Sequence, residues 1–159
     1  VRIGIGYDVH RLKPGGPLLL GGVEIASEWG LEGHSDADVL LHAVADALLG
    51  ALALGDLGQY FPDTDPRYRG ISSVTLLQTV VRLLHEQAYR VHNLDAVVIA
   101  QRPRLAAAIP DIRRNLAALL VADLSAISVK AKTAERLGAL GRGEGIAVHA
   151  VCTVVPRGP

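Results

Sequence analysis

An acid and an imidazole, Asp8 and His10, stand two residues apart in RIGIGYDVH, residues 2–10. Ile3, Ile5, Tyr7 and Val9 alternate there with Arg2, Gly4, Gly6, Asp8 and His10. That period of two predicts a strand whose odd positions face a core, with Asp8 and His10 projecting together from the other face. His42 falls within a predicted helix over 36–52. A helix lying against the strand could deliver it as a third ligand. Two imidazoles and a carboxylate with an open fourth position describe a catalytic zinc centre. The donor set suits Zn²⁺ better than Mg²⁺. Asp38, His42 and Asp46 recur every four residues and form one ridge, so Asp38 or Asp46 could orient the His42 ring. The competing reading leaves Asp8 and His10 as the polar end of a strand and His42 as an ordinary helix histidine.

Three further clusters have the residue types for phosphate and hydroxyl chemistry. Gly33-His34-Ser35-Asp36 precedes the predicted helix, where free backbone N–H groups can receive phosphate oxygens and His34 can add a donor. Simple capping by Ser35 or Asp36 would also account for it. The stretch GDLGQYFPDTDP, residues 55–66, is a predicted loop with Asp56, Asp63 and Asp65. Its acids could accept hydrogen bonds from substrate hydroxyls, with Phe61 as a cover, or could merely initiate turns. Lys132 and Thr133 end a predicted strand, Glu135 follows, and Arg142 sits in GRGEG. The cations could meet phosphate oxygens, and Glu135 could hold a hard divalent ion against them. The plain alternative is a solvated strand end and a glycine turn. GRGEG lacks dinucleotide-fingerprint spacing, and no Walker motif or nucleophile elbow is present. His85, His92 and His149 read as surface or core residues, and Cys152 as an inert core thiol.

These residues need positioning elements. A hairpin is predicted at Leu18–Leu20 and Val23–Ile25 around Gly21-Gly22. Helices are predicted at 72–88 and about 110–122, the latter with Pro110 in its first turn. Strands are predicted at 91–99, 127–131 and 145–155. The sum is one α/β (α+β) domain over residues 1–159. Its core is a mixed sheet of about four strands, with helices on one face and a small hairpin. The last strand is apolar at nearly every position, which predicts burial on both faces and hence sheets packed together in an oligomer.

The 159 residues carry 16 basic and 16 acidic side chains, 50% hydrophobic residues and one cysteine. The length fits one domain of roughly 100–200 residues that buries about 70% of its unfolded surface. Neutrality argues against nucleic acid. No apolar run reaches the roughly 18 residues of a membrane span, and no signal pattern opens the chain, so a cytoplasmic location is expected. One cysteine excludes a disulfide framework. The charge is nonetheless divided: residues 1–70 hold ten acids and five bases, residues 71–159 six acids and eleven bases.

Five blocks together resemble the 2-C-methyl-D-erythritol 2,4-cyclodiphosphate synthase family, over essentially the whole chain. They are RIGIGYDVHRL at 2–12, EGHSDADVLLHAVADALLGA at 32–51, GDLGQYFPDTDP at 55–66, AQRPRL at 100–105 and KAKTAERLGALGRGEGIAVHA at 130–150. The resemblance implies Asp8, His10 and His42 as zinc ligands, and His34 and Ser35 as phosphate contacts, with His34 stabilising the transition state. It implies Asp56, Leu57 and Gly58 on the erythritol part, and Phe61, Pro62, Asp63, Thr64 and Asp65 closing over the substrate. Ala100, Gln101, Arg102, Pro103, Arg104, Leu105 and Ala106 would read cytosine, largely through backbone. Lys132, Thr133 and Ala134 would bind the nucleotide diphosphate, Thr133 as a second stabiliser. Glu135 would ligate Mg²⁺ or Mn²⁺, and Arg142 would reach phosphate. Ala134 stands for a common Thr, Ala139-Leu140 for the usual Gly-Phe, and Arg104-Leu105 for a frequent Lys-Met. At Ala139 a ring contact to the substrate is lost. Family members are homotrimers with sites between subunits.

The family reaction is an intramolecular phosphoryl transfer. The 2-phosphate of 4-diphosphocytidyl-2-C-methyl-D-erythritol 2-phosphate attacks the β-phosphorus and CMP leaves. Such a transfer needs positioning and charge stabilisation rather than a general base. A metal-dependent phosphohydrolase and a non-catalytic trimer binding a phosphorylated isoprenoid are the alternative readings of the same residues.

Overall fold

The computed structural model describes residues 1–158. Strand β1 runs Arg2–Pro14, followed by β2 (Leu18–Leu20), β3 (Val23–Ile25) and β4 (Trp29–Leu31). Helix α1 is Val39–Ala51, α2 the single turn Leu57–Tyr60, and α3 Ser73–Glu86. Strand β5 (Tyr89–Ala100), helix α4 (Ile109–Leu120), strand β6 (Ile127–Lys132), the turn α5 (Gly138–Gly141) and strand β7 (Gly145–Pro156) complete the chain. The main sheet has five strands in the order β4-β1-β7-β5-β6, and β2 pairs with β3 as a separate hairpin. Only β5 and β6 are parallel, and α4 supplies the crossover that a parallel pair requires. The expected four strands become five because β4, three residues long, is too short to show a period.

The helices cover one face of the sheet. Leu94, Ala96, Val98 and Ala100 of β5 lie buried beside Cys152, Ala150, Val148 and Ile146 of β7 in the same rows. The face expected for β1 is reversed. Gly4 and Gly6 are the buried positions, while Ile3 and Ile5 are each 69% exposed and Tyr7 and Val9 are exposed too. The reason is a backbone contact. A Cβ on Gly4 would overlap the Ala47 carbonyl oxygen and come within 2.6 Å of the Ala51 nitrogen. One on Gly6 would overlap the Ala43 oxygen. The helix rests directly on the strand, so the inward positions need residues without a side chain. The apolar odd positions form a second hydrophobic surface, continued by the exposed Val151 of β7. The last strand is therefore covered on one face only within this chain: His149 and Val151 remain exposed.

Asp38, not Ser35, caps α1. Its carboxylate accepts the Leu41 N–H at 3.0 Å and also the Gly21 and Gly22 N–H groups of the hairpin at 2.9 and 2.6 Å. The residue is fully buried, and burial pushes its carboxyl above the usual range although the three N–H donors pull it down. One side chain thus joins the hairpin to the start of α1. Helix α3 buries Leu76, Leu77, Val80, Val81 and Leu84 at helical spacing and ends at Glu86. Ala88 adopts a left-handed φ of 61° and lies beyond the helix.

Two outcomes test this packing. Gly6→Ala should lower unfolding stability by at least about 3 kcal/mol, because the helix must shift off the strand. Asp38→Ala should cost about 3 kcal/mol, one cap plus the stranded donors of buried Gly21 and more exposed Gly22. Urea unfolding followed by circular dichroism measures both.

Candidate active site

Strand β1 carries Asp8 and His10 on the Gly4–Gly6 face, and α1 lies on that face. His42 therefore arrives opposite them. Asp8 Oδ2 is 2.8 Å from His10 Nε2 and 3.1 Å from His42 Nδ1, and the two ring nitrogens are 3.3 Å apart. One ligand atom from each residue lies within 4.8 Å of the others. His10 Nδ1 faces the Glu32 carbonyl at 2.7 Å. A carbonyl only accepts, so Nδ1 carries a proton, and in the neutral ring Nε2 is the lone-pair nitrogen available to a cation. His42 Nε2 faces Ser73 Oγ at 2.9 Å and Ser35 Oγ at 3.0 Å. Burial opposes ionisation of Asp8, but with no cation bound the hydrogen bonds from the His10 and His42 ring N–H groups that then face it outweigh burial and hold the carboxyl far below its ordinary range. Burial likewise opposes the charged form of His10, and the Asp8 carboxylate outweighs it and raises the pKa. Two nitrogens and an oxygen converging on one point, with one ring locked lone-pair inward, fit a divalent metal ion.

These three residues open onto a cavity of about 450 Å³ that His34, Ser35, Asp46, Leu57, Gly58, Phe61, Pro62 and Asp63 also line. The segment 33–36 precedes the helix rather than starting it. Helix α1 begins at Val39, the Asp36 N–H donates to Ile71 O, and the Ala37 N–H donates to Ser35 Oγ. His34 and Ser35 line the cavity. Neither Asp38 nor Asp46 orients the His42 ring as the ridge suggested. Asp38 spends its oxygens on backbone, and Asp46 Oδ1 accepts the Leu57 N–H at 2.7 Å, fixing α2 at the cavity wall. Burial raises the Asp46 carboxyl, the Leu57 donor opposing, with the charges of Asp56 and Asp8 adding to the rise.

In the 55–66 segment, Asp56 caps α2 by accepting the Gln59 N–H at 3.0 Å. Phe61 packs edge-on against Tyr68, with ring centroids 5.3 Å apart. Thr64 and Asp65 lie off the cavity, and Asp65 forms a bidentate ion pair with Arg67. Tyr68, Ile71 and Leu76 complete the wall. The chain pattern gave no signal for these three, or for Ser73, because their contacts to the site span tens of residues.

The basic cluster forms separately. Ala100 and His10 both pair with Ile146, and Lys132 pairs with Ile99, so β5 and β6 finish at the sheet end where the His10 side of β1 lies. There Gln101 Oε1 accepts the Arg136 N–H at 3.3 Å, and Arg102 stacks 4.3 Å over the Trp29 ring while donating to Gly143 O. Thr133 Oγ1 donates to Glu135 at 3.0 Å, and Arg142 pairs with Glu144 at 2.6 Å. Leu105 is buried. None of residues 100–106, 132–135, 139 or 142 lines the cavity of this chain.

The model of the YgbB family matches residues 1–155. The chain belongs to the YgbB family. Its relatives include a 2-C-methyl-D-erythritol 2,4-cyclodiphosphate synthase from Desulfitobacterium hafniense, 59% identical over 155 residues and 98% of each chain. Among solved structures, the bifunctional IspDF from Campylobacter jejuni matches with a TM-score of 0.93 and 41% identity over 96% of this chain. This chain spans 42% of that longer one. IspF of Plasmodium falciparum in a CDP complex matches with a TM-score of 0.87 and 36% identity, over 99% of this chain and 97% of that one.

In this YgbB member Asp8, His10 and His42 form a group, among the described residues, whose ligand atoms lie close enough together to hold a metal ion. Purified protein should contain about one divalent ion per chain. Asp8→Ala and His42→Ala should each drop that content to near zero after dialysis, as elemental analysis will read.

Proposed function

We propose that this chain is a cyclodiphosphate synthase of isoprenoid biosynthesis. It converts 4-diphosphocytidyl-2-C-methyl-D-erythritol 2-phosphate to 2-C-methyl-D-erythritol 2,4-cyclodiphosphate and CMP. The observation that carries the reading is the Asp8–His10–His42 cluster at the mouth of a cavity walled by His34, Ser35 and α2, in a chain 59% identical to a relative of that name. Zn²⁺ held by the three ligands would supply charge neutralisation to phosphate oxygens. The chain's own residues do the rest. His34 donates where charge shifts in the transition state, and Ser35 fixes the adjoining phosphate. Asp56 accepts from the erythritol hydroxyls beside Leu57 and Gly58. Phe61, Pro62 and Asp63, extended by Thr64 and Asp65, limit water at the reacting centre.

The second half of the site is the basic cluster. Residues 100–106 hold the cytosine, and Lys132, Thr133, Ala134 and Arg142 hold the diphosphate, with Thr133 as the second transition-state donor. Glu135 binds Mg²⁺ or Mn²⁺ against the same oxygens. Ala139 contributes no ring to this pocket. The CDP bound to the Plasmodium relative supports a nucleotide ligand. The two halves join between subunits of a homotrimer. Support comes from the exposed Ile3, Ile5, Tyr7 and Val9 on the sheet face that the helices leave bare, a surface that single chains rarely expose to water. The unpaired, buried Cys152, its thiol pushed up to about 11 by burial, suits a reducing cytoplasm.

Phosphorus NMR after incubation with substrate, zinc and magnesium should show the cyclic diphosphate and CMP in equal amounts. Free methylerythritol phosphates without the cyclic product would instead make the chain a phosphohydrolase. Ile5→Asp should convert a trimer to monomers in light scattering and abolish turnover while leaving metal content near one ion per chain.

A further inference from the structure

Ser73 is fully buried at the first residue of α3, yet it belongs to no motif in the chain. Its hydroxyl lies between Asp36 and His42, with Ser35 Oγ farther off at 3.4 Å. On one side is Asp36, whose Oδ1 makes a very short hydrogen bond with Ser73 Oγ and whose Oδ2 accepts the Ser73 N–H at 2.9 Å. On the other is His42 Nε2 at 2.9 Å. An ionised carboxylate only accepts, so the Ser73 proton points to Asp36. The Ser73 oxygen then offers His42 only lone pairs, and Nε2 must carry the ring proton. The lone pair is left on Nδ1, the nitrogen 3.1 Å from Asp8 Oδ2 and 3.3 Å from His10 Nε2.

We propose that Ser73, its proton direction set by Asp36, is the positioning residue that fixes the tautomer and tilt of His42. This deepens, and rests on, the reading of Asp8, His10 and His42 as a metal centre. His10 has the equivalent device in the Glu32 carbonyl, so each imidazole is oriented through the nitrogen away from the metal. Ser35 also reaches His42 Nε2, at 3.0 Å. Its oxygen accepts the Ala37 N–H, and no carboxylate holds its proton, so it can donate as readily as accept. Asp36 gives the arrangement its polarity. The Asp36 carboxylate also ties the start of α3 to the segment before α1, through Ser73 N–H and the Asp38 N–H at 3.3 Å.

Zinc affinity by chelator competition at pH 8 tests the proposal, together with the His42 ring N–H proton resonance in the zinc-loaded protein. Wild type should bind zinc and show a slowly exchanging Nε2–H. Ser73→Ala should weaken zinc binding by about 10–100-fold and speed exchange of that proton. Ser73→Thr, which keeps the hydroxyl, should restore both. Asp36→Asn can donate to Ser73 and reverse its proton, so it should weaken zinc binding as Ser73→Ala does. A Ser73→Ala protein with affinity within about twofold of wild type and an unchanged ring proton overturns the role of Ser73. Should Ser73→Thr fail to fold, unchanged zinc binding in Asp36→Asn overturns it equally. A wild-type chain that binds no zinc would instead refute the metal centre itself.

Discussion

The closure of α1 onto β1 at Gly4 and Gly6 is the constraint on which the rest depends. The helix backbone occupies the space that side chains at those positions would fill. This brings His42 within 3.1 Å of Asp8 and 3.3 Å of His10. Side chains at positions 4 and 6 would overlap the Ala47 and Ala43 carbonyl oxygens and hold the helix, and His42 with it, off the strand. Small residues on both partners, Gly on the strand and Ala43 and Ala47 on the helix, are therefore part of the metal site without touching it.

Around that contact, acids that look alike in sequence do different work. Asp38 accepts only backbone N–H groups and fixes the hairpin to α1. Asp46 holds α2 at the cavity wall. Asp36 turns to α3 through Ser73. Asp8 alone faces the two imidazoles. Burying Asp38 fully and half-burying the other three beside one cavity is costly unless each has partners; backbone N–H groups serve Asp38 and Asp46, the Ser73 hydroxyl and N–H serve Asp36, and the imidazoles face Asp8. The chain's zero formal charge is thus a sum of unlike parts. The acid-rich first portion surrounds the metal-ligand cluster, and the base-rich second portion gathers where β5 and β6 end.

The sheet presents two hydrophobic faces of different origin. One is filled by α1, α3 and α4. The other, with Ile5 beside Val151 and Tyr7 beside His149, has no layer over it within the chain. The alternation in β1 was legible, but which face was which was not: periodicity gives two sets of residues, and only the near approach of a helix says that the glycine set is the covered one. The same ambiguity made β7 look buried twice.

The sequence by itself determined the order of the longer elements, the hairpin, the candidate Asp8–His10–His42 grouping and the family, because these depend on local period, turn chemistry and long matched blocks. It placed Asp8 and His10 side by side since a strand fixes i and i+2 on one face whatever the partner. Tertiary structure alone decided that Asp38 and not Ser35 caps α1, and that Asp36 and Ser73 stand behind His42. It also decided that residues 100–106 and 132–142 stay apart from the cavity of their own chain. Each of those outcomes is a contact between segments distant in sequence. A hydrogen bond 31 residues long, such as His42 to Ser73, leaves no periodic trace, because nothing local constrains either partner until the packing brings them together.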